Sequence, residues 1–515
     1  MVLTALVNTV VLSILFNYPY SALGGAVQSG TPVPANYQGY ADKVKQIFVN
    51  SYSAYEQYAY GHDDLNPVSE SAQDDRNGFG ATIFDAMTTM YIMGLTDQLN
   101  NATAFAFQVD FSQSHTPSTI SIFETTIRYL GAMMSYTDLA SNTELVGQNN
   151  IDLVGQARTL ADNMAAVAWS SNNVIPYPEV VFGSSSDSQS DDSSNVAEAG
   201  SLALEWSTLS KYAQDSKYAD LAVGALRHIA ALPNPPLLGL PAQSIIPSSG
   251  ETSGAYVTWG GGTDSYLEYL IKYARLSNSD DSIYVDTWKA AVDSSIRVLM
   301  RNSTSADGNH VYIADWNDGQ ILHVGSNLEC FHGGNWILGG KMTNNETIVN
   351  YGLALVDACW NTYSSTATKI GPESFAYESS DGNFTGSSGP SDAEQAYFNQ
   401  HGYYITDSHY YMRPEVLESN FYAWRATGDT KYLDNAVSFV DSIMQYLPAE
   451  VGYAGLDDVN SKNSAKDDNM PSFWFAEVLK YLYLTFDDPS HISLDQYVFN
   501  TEAHPLWAPP AKAVY

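Results

Sequence analysis

Positive charge is scarce in this chain. It contains 22 lysine and arginine residues against 57 aspartate and glutamate residues, which gives a formal net charge of -35 at pH 7. The isoelectric point is near 4.3. A surface this acidic repels phosphate backbones and anionic headgroups, which argues against nucleic acid or an acidic membrane as a partner. We attribute the charge to solubility in acidic surroundings rather than to one site.

Long apolar runs are missing beyond the N-terminus. Residues 1–16 are apolar and lead into small residues over 21–26, which is typical of a secretory signal peptide. No basic residue precedes Lys43, so the usual basic start is absent, and a signal anchor remains the alternative although the run is short for a bilayer span. We expect a signal peptide over 1–26, secretion, and no membrane association after cleavage.

Two features bear on the secretory pathway. Four asparagines begin glycosylation acceptor tripeptides. They are Asn101, Asn302, Asn345 and Asn383. Only two cysteines occur, Cys330 and Cys359. In an oxidising compartment one disulfide is the simple expectation, and it would close a loop worth about 3 kcal/mol in the chain-entropy model. Two buried free thiols are the alternative.

Helical periodicity dominates the 515-residue sequence, which is 44% hydrophobic. Seven segments start near a polar or glycine-rich turn and then run apolar at helical spacing. They are 81–95, 122–139, 198–212, 264–276, 335–341, 415–426 and 473–486. Further amphipathic stretches lie between them, at 153–168, 218–231, 285–300 and 432–446. These pairs predict a closed array of helical hairpins without an internal domain boundary.

Three irregular stretches interrupt the array. Residues 183–195 are rich in Ser and Asp, 232–249 are rich in Pro, and 377–399 mix Gly, Ser and Asp. We interpret all three as insertions at one end of the array rather than as linkers between domains.

Carboxylates recur at or near the starts of these helices. They are Asp85, Glu124, Glu198, Glu205, Asp264, Glu268, Glu415, Glu418 and Glu477. Taken singly, Glu124 and Glu268 fit capping boxes with Ser121 and Ser265. Taken together, the acids would form a ring at one end of a common axis. Such a ring is costly unless it holds a cation, a proton or hydroxyl donors.

Two chemistries suit several acids in a pocket with aromatic side chains. Glycoside hydrolysis needs a general acid and a base or nucleophile. A Ca²⁺ site needs oxygen ligands. The ten Trp and 36 Tyr residues offer sugar-stacking surfaces, although most belong to the core. We find no phosphate loop, thiol–histidine pair or zinc spacing, and the lone His332 and His504 are interpreted as structural.

Five ordered motifs carry a family resemblance. They read IFETTIRYLG at 122–131, WGGGTDSYLEYL at 259–270, RPEVLES at 413–419, SFWFAEVLKYL at 472–482 and FNTEAHP at 499–505. With GHDDL at 61–65, they resemble class I α-1,2-mannosidases, glycoside hydrolase family 47. The resemblance runs from about residue 37 to the C-terminus, so we expect one catalytic domain over 37–515.

The resemblance implies an all-α fold, an (α/α)₇ barrel of helical hairpins with a few short β-hairpins and a pocket plugged at one end. It implies an inverting, Ca²⁺-dependent hydrolase and a disulfide between the two cysteines. Glu124 would be the general acid, directly or through a water, and Glu415 would be the base. Asp264 would be a third essential acid, either the alternative proton donor or a positioning group.

Further roles follow from the same resemblance. Thr501 would bind Ca²⁺ directly, and Glu418, Glu477 and Glu502 would hold it through waters. Phe473 would stack on the terminal mannose. The other expected sugar contacts are Arg128, Glu268, Arg413, Glu418 and Glu477. Because an inverting enzyme needs room for water, the Glu124 and Glu415 carboxyls should lie roughly 6.5–9.5 Å apart.

The substrate expected from this resemblance is a high-mannose oligosaccharide or glycoprotein carrying terminal α-1,2-mannose. Gly262 stands where members with narrow trimming carry Arg, so we expect broader trimming toward five mannoses. A monomer is expected. The alternatives are a lectin-like quality-control protein that binds mannose glycans without turnover, and a glucoamylase-like hydrolase, which would not need the Thr501 motif.

Overall fold

The computed structural model describes residues 26–143, 145–170, 173–183, 193–305, 310–382 and 390–515. Nearly all of the predicted signal peptide, and Asn383, lie outside these ranges. The α-helices within them are α1 (Gly39–Tyr58), α2 (Ala81–Met93), α3 (Thr96–Ala106), α4 (Ile122–Thr125), α5 (Gly131–Asn142), α6 (Val154–Ala168), α7 (Val196–Gly200), α8 (Ala203–Ala213), α9 (Lys217–Ala230), α10 (Asp264–Ser277), α11 (Ile283–Ser294), α12 (His332–Met342), α13 (Glu346–Ser364), α14 (Asp392–His401), α15 (Glu415–Thr427), α16 (Lys431–Tyr446) and α17 (Leu479–Phe486).

Short irregular turns extend four of these helices. A π-helical turn, Thr126–Leu130, joins α4 to α5, and another, Ser295–Leu299, prolongs α11. A third π-helical turn, Trp474–Val478, leads into α17. The 3₁₀ turn Leu328–Phe331 leads into α12. Two of these turns, those at 126–130 and 474–478, therefore lie within motifs that the sequence had singled out.

The strands are short and antiparallel. They are β1 (Asp64–Asn66), β2 (Ser71–Gln73), β3 (Ile120–Ser121), β4 (Glu179–Val180), β5 (Ser194–Asn195), β6 (Ser244–Ile246), β7 (Glu251–Ser253), β8 (Tyr256–Val257), β9 (Met300–Asn302), β10 (Val311–Ile313), β11 (Asp315–Asn317), β12 (Gln320–Leu322), β13 (Val324–Ser326), β14 (Ser374–Ala376), β15 (Tyr404–Asp407), β16 (Tyr497–Phe499) and β17 (Pro505–Trp507). In the described ranges they form sheets of two or three strands, and none closes on itself.

The helices form two concentric rings. In the described part of the chain, α2, α5, α8, α10, α12, α15 and α17 contact one another in that order, and α17 returns to α2. Outside them, α3, α6, α9, α11, α13, α16 and α1 pack on α2, α5, α8, α10, α12, α15 and α17, respectively, so that the first helix pairs with the last. Of these, α6, α13 and α16 also contact the next inner helix of the ring. The predicted (α/α)₇ barrel is confirmed.

Side-chain patterns explain which ring each helix joins. Every residue of α2 is buried, as expected for a helix that is surrounded by protein. In α9 the buried residues Tyr218, Ala222, Ala225 and Ile229 form one stripe, and polar residues face outward. An apolar stripe of this kind lets a helix cover the inner ring while its other face stays in water.

The β16–β17 hairpin closes one end of the barrel. It packs against α5 and α10, so its turn, residues 500–504, reaches the barrel axis. Ala503 in this turn has φ of +54°, a left-handed conformation that is unusual for alanine. The plug is therefore a strained turn held by the surrounding helices.

Most predicted elements are present, with several omissions. All seven predicted inner segments and all four outer stretches are helical. The predictions missed α1, α3 and α13, and they were wrong about part of 377–399, because α14 begins at Asp392. There Ser391 and Glu394 form a reciprocal capping box, which starts a helix inside a polar stretch.

The secretory features lie on described residues only in part. Asn101, Asn302 and Asn345 are exposed. Cys330 and Cys359 form a disulfide that ties the start of α12 to α13. Within the described ranges, no helix combines the length and apolar character needed to cross a bilayer. The domain boundaries and the occupancy of the acceptor sites remain predictions.

Close helix packing generates a testable prediction. A Cβ on Gly352 of α13 would lie 2.9 Å from the Gly333 carbonyl oxygen of α12. Gly224 of α9 has no such neighbour within 4 Å. We expect Gly352→Ala to lower the free energy of unfolding by about 1–3 kcal/mol through overpacking. Gly224→Ala should raise it by about 0.5–1 kcal/mol through helix propensity. Thermal unfolding of both variants tests this, and stabilisation by Gly352→Ala would contradict it.

Candidate active site

A cavity of about 420 Å³ lies where the inner helices begin, above the hairpin plug. Every residue predicted for catalysis, sugar contact or calcium binding lines it. These residues are Glu124, Arg128, Asp264, Glu268, Arg413, Glu415, Glu418, Phe473, Glu477, Thr501 and Glu502. The structure therefore brings together side chains separated by up to 378 positions in the chain. Their individual roles remain predictions.

Sequence reasoning missed several lining residues. Arg76, Leu328 and Phe331 face the cavity, and Glu198 does so although it had no assigned role. Leu328 and Phe331 come from the 3₁₀ turn beside Cys330, where only the local apolar character gave a signal. Arg76 lies in a loop after β2, and nothing in its neighbourhood marks it in the sequence.

Negative charge exceeds positive charge in the cavity. Among the described residues that line it are eight carboxylates but only three arginines. The arginines are Arg76, Arg128 and Arg413. Burying like charges together is unfavourable unless donors or a cation compensate for them. The lining thus fits a ligand that brings hydroxyl donors, a hard cation, or both.

Arg128 is the main internal compensation. Its Nε donates to Glu124 Oε2 at 2.8 Å, and its Nη1 contacts Asp85 Oδ2 at 3.1 Å and also Glu502 Oε1. Its side chain is only 6% exposed. A buried guanidinium can hold several carboxylates because its donors form a rigid planar fork. Arg128 therefore links α2, α4 and the hairpin turn.

Glu124 is held in its ionised form by this arrangement. Burial alone would raise the pKa of its carboxyl, but the charges of Arg128 and Arg76 outweigh burial and lower that pKa. The Arg76 Nε lies 3.4 Å from Glu124 Oε2. The surroundings of Glu124 thus favour a carboxylate rather than a carboxylic acid.

Asp264 and Glu415 have the opposite environment. Burial raises the pKa of Asp264 to about 7, and the backbone N–H of Ser265, 2.8 Å from its Oδ1, offsets this only in part. Burial also raises the pKa of Glu415 to about 7 against the charge of Arg413. Arg413 donates its Nε to both oxygens of Glu373 at 2.7 Å, so its charge is shared.

A second group of acids lies deeper. Lys272 donates to Glu268 and lies 3.6 Å from Glu418 Oε1. Burial, together with repulsion from Glu502, raises the pKa of Glu477. In the described ranges no three Asp, Glu, His or Cys side chains stand close enough to hold a metal directly. The oxygen-rich lining suits a hard cation bound through neutral oxygens and waters rather than one caged by carboxylates.

The turn that carries Thr501 is held by an Asn side chain. Asn500 Oδ1 accepts from the N–H groups of Glu502 at 3.0 Å and His504 at 2.7 Å. Its Nδ2 donates to Glu205 Oε1 at 2.7 Å. All of these groups are buried, so the amide fixes the turn without help from solvent. Sequence reasoning did not identify this function of Asn500.

Two further contacts brace the same turn. Lys480 Nζ donates to the Ala503 carbonyl oxygen at 2.7 Å. The Thr501 N–H donates to Tyr269 OH at 3.3 Å, and this hydroxyl in turn donates to Glu205 Oε1 at 2.6 Å. These contacts hold Ala503 in its left-handed conformation. Residues in strained conformations at functional sites are usually held in this way by several surrounding contacts.

The sequence matches a known protein family over most of its length. The profile of Glycosyl hydrolase family 47 matches residues 47–508. The chain belongs to glycosyl hydrolase family 47. A mannosyl-oligosaccharide α-1,2-mannosidase 1B of Aspergillus phoenicis is 38% identical to it over 483 residues, 91% of each chain. A mannosyl-oligosaccharide α-1,2-mannosidase of Penicillium citrinum is 35% identical and covers 95% of each chain.

A solved structure gives the same result for the fold. An α-1,2-mannosidase from Trichoderma reesei matches with a TM-score of 0.88 and 34% identity, covering 93% of this chain and 100% of the other. The family predicted from the five motifs is confirmed, and with it the class of glycoside hydrolases.

Side-chain hydrogen bonds at the starts of α4 and α10 show why the predicted capping boxes were wrong. Ser121 does cap α4, accepting from the Glu124 N–H at 3.2 Å, but the Glu124 side chain turns to Arg128. Ser265 lies inside α10, and Glu268 binds Lys272 rather than a backbone N–H. The cavity therefore uses carboxylates that a simple helix cap would have consumed.

The raised pKa of Asp264 predicts a pH effect on stability. The folded state holds this proton more tightly than the unfolded state, whose pKa is near the ordinary 3.8. Its contribution to stability is therefore complete below about pH 4 and is lost as the pH rises to about 7. In EDTA, the free energy of unfolding should decrease between pH 4 and 7 by about 1–2 kcal/mol less in Asp264→Asn than in the unsubstituted protein. This difference is smaller than the full pKa shift would give, because the carboxyl is partly accessible to solvent.

Denaturant unfolding across this pH range makes the measurement. Asp293→Asn, a change at a carboxylate that is 63% exposed, is the matched control and should leave the slope unchanged. Identical pH slopes for Asp264→Asn and the unsubstituted protein would show that the carboxyl is not perturbed.

Proposed function

We propose that this chain removes terminal α-1,2-linked mannose from high-mannose N-glycans, with inversion of configuration and with Ca²⁺ in the cavity. The observation that carries the proposal is the convergence of eight carboxylates on one cavity in a family 47 chain. Similar relatives are named mannosyl-oligosaccharide α-1,2-mannosidases. The disulfide and the exposed Asn101, Asn302 and Asn345 support action in the secretory pathway followed by secretion.

Glu415 serves as the general base. Glu415 lines the cavity, and its buried Oε2 has no hydrogen-bond partner among the described residues, so no competing donor holds the carboxyl that would accept a proton from an attacking water. Burial raises its pKa against the neighbouring Arg413 charge to about 7, the same value as for Asp264, so near neutral pH one of the two carboxyls can be ionised while the other holds a proton. A pKa of about 7 is close to the operating range that general-base catalysis favours.

Of the two candidate proton donors, Asp264 is the one whose pKa favours a protonated carboxyl. Its pKa of about 7 keeps a proton on it in mildly acidic solution, whereas two arginines lower the pKa of Glu124. We therefore assign the proton to Asp264. Glu124 orients Arg128 and, through it, the sugar.

Substrate binding uses the remaining lining. Phe473 is half-buried, with the Arg128 guanidinium 5.8 Å from its ring centre, and offers an apolar face to the sugar ring. Arg413, Glu268, Glu418 and Glu477 supply hydrogen-bond partners for hydroxyl groups. Because the hairpin turn that carries Thr501 and Glu502 lines the cavity at its closed end, we propose that a terminal residue enters it, which gives exo-action.

Thr501 would hold Ca²⁺ by its carbonyl and hydroxyl oxygens, and Glu418, Glu477 and Glu502 would hold its waters. The braced turn around Asn500 keeps these Thr501 oxygens in place. When bound, the ion would coordinate two sugar hydroxyls and so favour a sugar ring distorted toward the transition state.

Hydrolysis of an α-1,2-dimannoside tests the proposal. We expect turnover that EDTA abolishes and added Ca²⁺ restores, with β-mannose as the first product seen by NMR. Glu415→Gln should lower kcat by at least about 10²-fold, within the range typical of lost acid–base catalysis. Asp264→Asn should lose turnover of the dimannoside but keep turnover of α-mannosyl fluoride, whose leaving group needs no proton.

Other outcomes identify the alternatives. Binding of mannose glycans without turnover would support a lectin. Release of glucose from maltose in the presence of EDTA, with no mannose released from the dimannoside, would support a glucoamylase-like enzyme. Product appearing first as α-mannose would show retention of configuration. Loss of turnover of α-mannosyl fluoride in Asp264→Asn, with turnover retained in Glu124→Gln, would identify Glu124 as the proton donor.

Trimming breadth depends on the neighbourhood of Gly262. The space beside this residue is occupied, since a Cβ there would lie 2.8 Å from Gln243 Nε2 and the residue has φ of +84°. The absence of a side chain thus leaves less room than the sequence suggested, but it also means that no cationic side chain projects from this position. We propose stepwise trimming of several branches toward five mannoses.

Digestion of a nine-mannose glycan followed by mass spectrometry tests this breadth. We expect successive loss of four mannoses, with the five-mannose product resistant because it lacks α-1,2 linkages. Glu415→Gln protein is the control and should leave the glycan intact. Accumulation of an eight-mannose product alone would contradict broad trimming.

A further inference from the structure

A second cleft lies beside the catalytic cavity. It has a volume of about 320 Å³ and is walled by the β8–β11–β12 sheet on one side and the β13–β14–β15 sheet on the other. Gly261 lines both the cleft and the cavity. In the 3₁₀ turn before α12, Leu328 lines the cavity and the next residue, Glu329, lines the cleft. The two spaces are therefore separated by little more than the backbone.

Two carboxylates form the floor of this cleft. Asp315 and Glu329 are 5% and 4% exposed. Tyr256 OH donates to Asp315 Oδ2, but Asp315 Oδ1 and Glu329 Oε1 have no hydrogen-bond partner in the described part of the chain. None of the described residues lining the cleft is a lysine or arginine. An unsatisfied buried acceptor is costly. The His332 Nε2 atom lies 4.0 Å from Glu329 Oε1, beyond hydrogen-bond distance, so neither oxygen has a hydrogen-bond donor in the described part of the chain.

The other lining groups are those of a site for a hydroxylated ligand. The side chains of Thr258, Ser326, Ser374 and Thr406 provide hydroxyls, and Phe375 provides an apolar surface. The volume falls in the range of about 300–1,000 Å³ typical of small-molecule sites.

We propose that this cleft binds a second mannose residue, one on another branch of the oligosaccharide whose end occupies the catalytic cavity. The carboxyl groups of Asp315 and Glu329, which line the cleft, would accept hydrogen bonds from two hydroxyls of that sugar. The inference rests on the proposed function, and it adds two residues that set the preference for a branched substrate over a linear one.

Burial and mutual repulsion give the cleft a pH dependence that agrees with this assignment. Burial raises the pKa of Asp315 to about 6. Burial and the Asp315 charge raise the pKa of Glu329. In mildly acidic solution a protonated carboxyl can donate to a sugar oxygen while the other accepts, so both remain useful to a neutral polyol.

Paired substrates test the proposal. The α-1,2-dimannoside reaches only the catalytic cavity, whereas a nine-mannose glycan spans both spaces. For Asp315→Asn and Glu329→Gln we expect KM for the nine-mannose glycan to rise about tenfold, the size of one lost hydrogen bond to a charged group. For the dimannoside, kcat and KM should stay unchanged, which also shows that the variants fold.

The control is Asp318→Asn, an exposed carboxylate in the turn after β11 that lies outside the cleft lining. This variant should change neither kcat nor KM for either substrate. Equal losses on both substrates would show a structural role for Asp315 and Glu329, and no loss on either would show an unused crevice. Fewer bound calcium ions per chain in Asp315→Asn, measured by elemental analysis, would show a cation site. Each of these results overturns the proposal.

Failure of the proposed function gives a different result. If the unsubstituted protein does not cleave the dimannoside, catalysis fails, and the cleft is then tested by calorimetric binding of the nine-mannose glycan. Weaker binding by Asp315→Asn and Glu329→Gln than by Asp318→Asn would still support the cleft, whereas equal affinity of all three variants would overturn it.

Discussion

The structure depends on the burial of excess negative charge at the centre of the barrel. Eight carboxylates line a space with only three arginines among its described walls. Arg128 binds three carboxylates at once, two of them buried, and its side chain is almost inaccessible to water. Removal of this one guanidinium would leave Asp85, Glu124 and Glu502 to repel one another in a medium of low polarisability.

The distribution of that charge gives the carboxylates different electrostatic environments. Glu124 lies against two arginines and stays ionised, whereas Asp264 and Glu415 are desolvated with weaker compensation. Environments that push the pKa values of neighbouring acids apart are the usual basis for assigning acid and base roles. They separate Glu124 from the other two acids, whereas Asp264 and Glu415 share a pKa of about 7. Here the difference comes from which helix start each acid occupies and which cation lies nearby.

The hairpin turn at 500–504 adds a second constraint. Its backbone is held by Asn500, Lys480 and Tyr269, which come from the hairpin itself and two different inner helices. Ala503 keeps a strained left-handed conformation because these contacts leave it no alternative. The plug thus couples the closure of the barrel to the placement of Thr501, so that the same contacts stabilise the fold and shape the site.

Helical periodicity was enough to predict the inner helices, because their apolar residues recur at helical spacing and each begins at a turn. It failed for α1, α3 and α13, and for α14, whose polar sequence hides a capping box at Ser391. The cavity residues were predictable where a motif surrounds them, as with Glu415 after Pro414. Arg76 was not predictable, because its loop has no pattern and its role exists only through proximity to Glu124.

The sequence by itself determined the family, the sequence of helical hairpins and the identity of the acids, because periodicity and motifs are properties of neighbouring residues. Tertiary structure alone decided that Glu124 binds Arg128 instead of capping a helix, and that Asp264 and Glu124 differ in pKa. It also decided that Gln243 fills the space beside Gly262 and that Asp315 and Glu329 share a cleft. These outcomes depend on distances between residues far apart in the chain, and on the solvent that packing removes from between them.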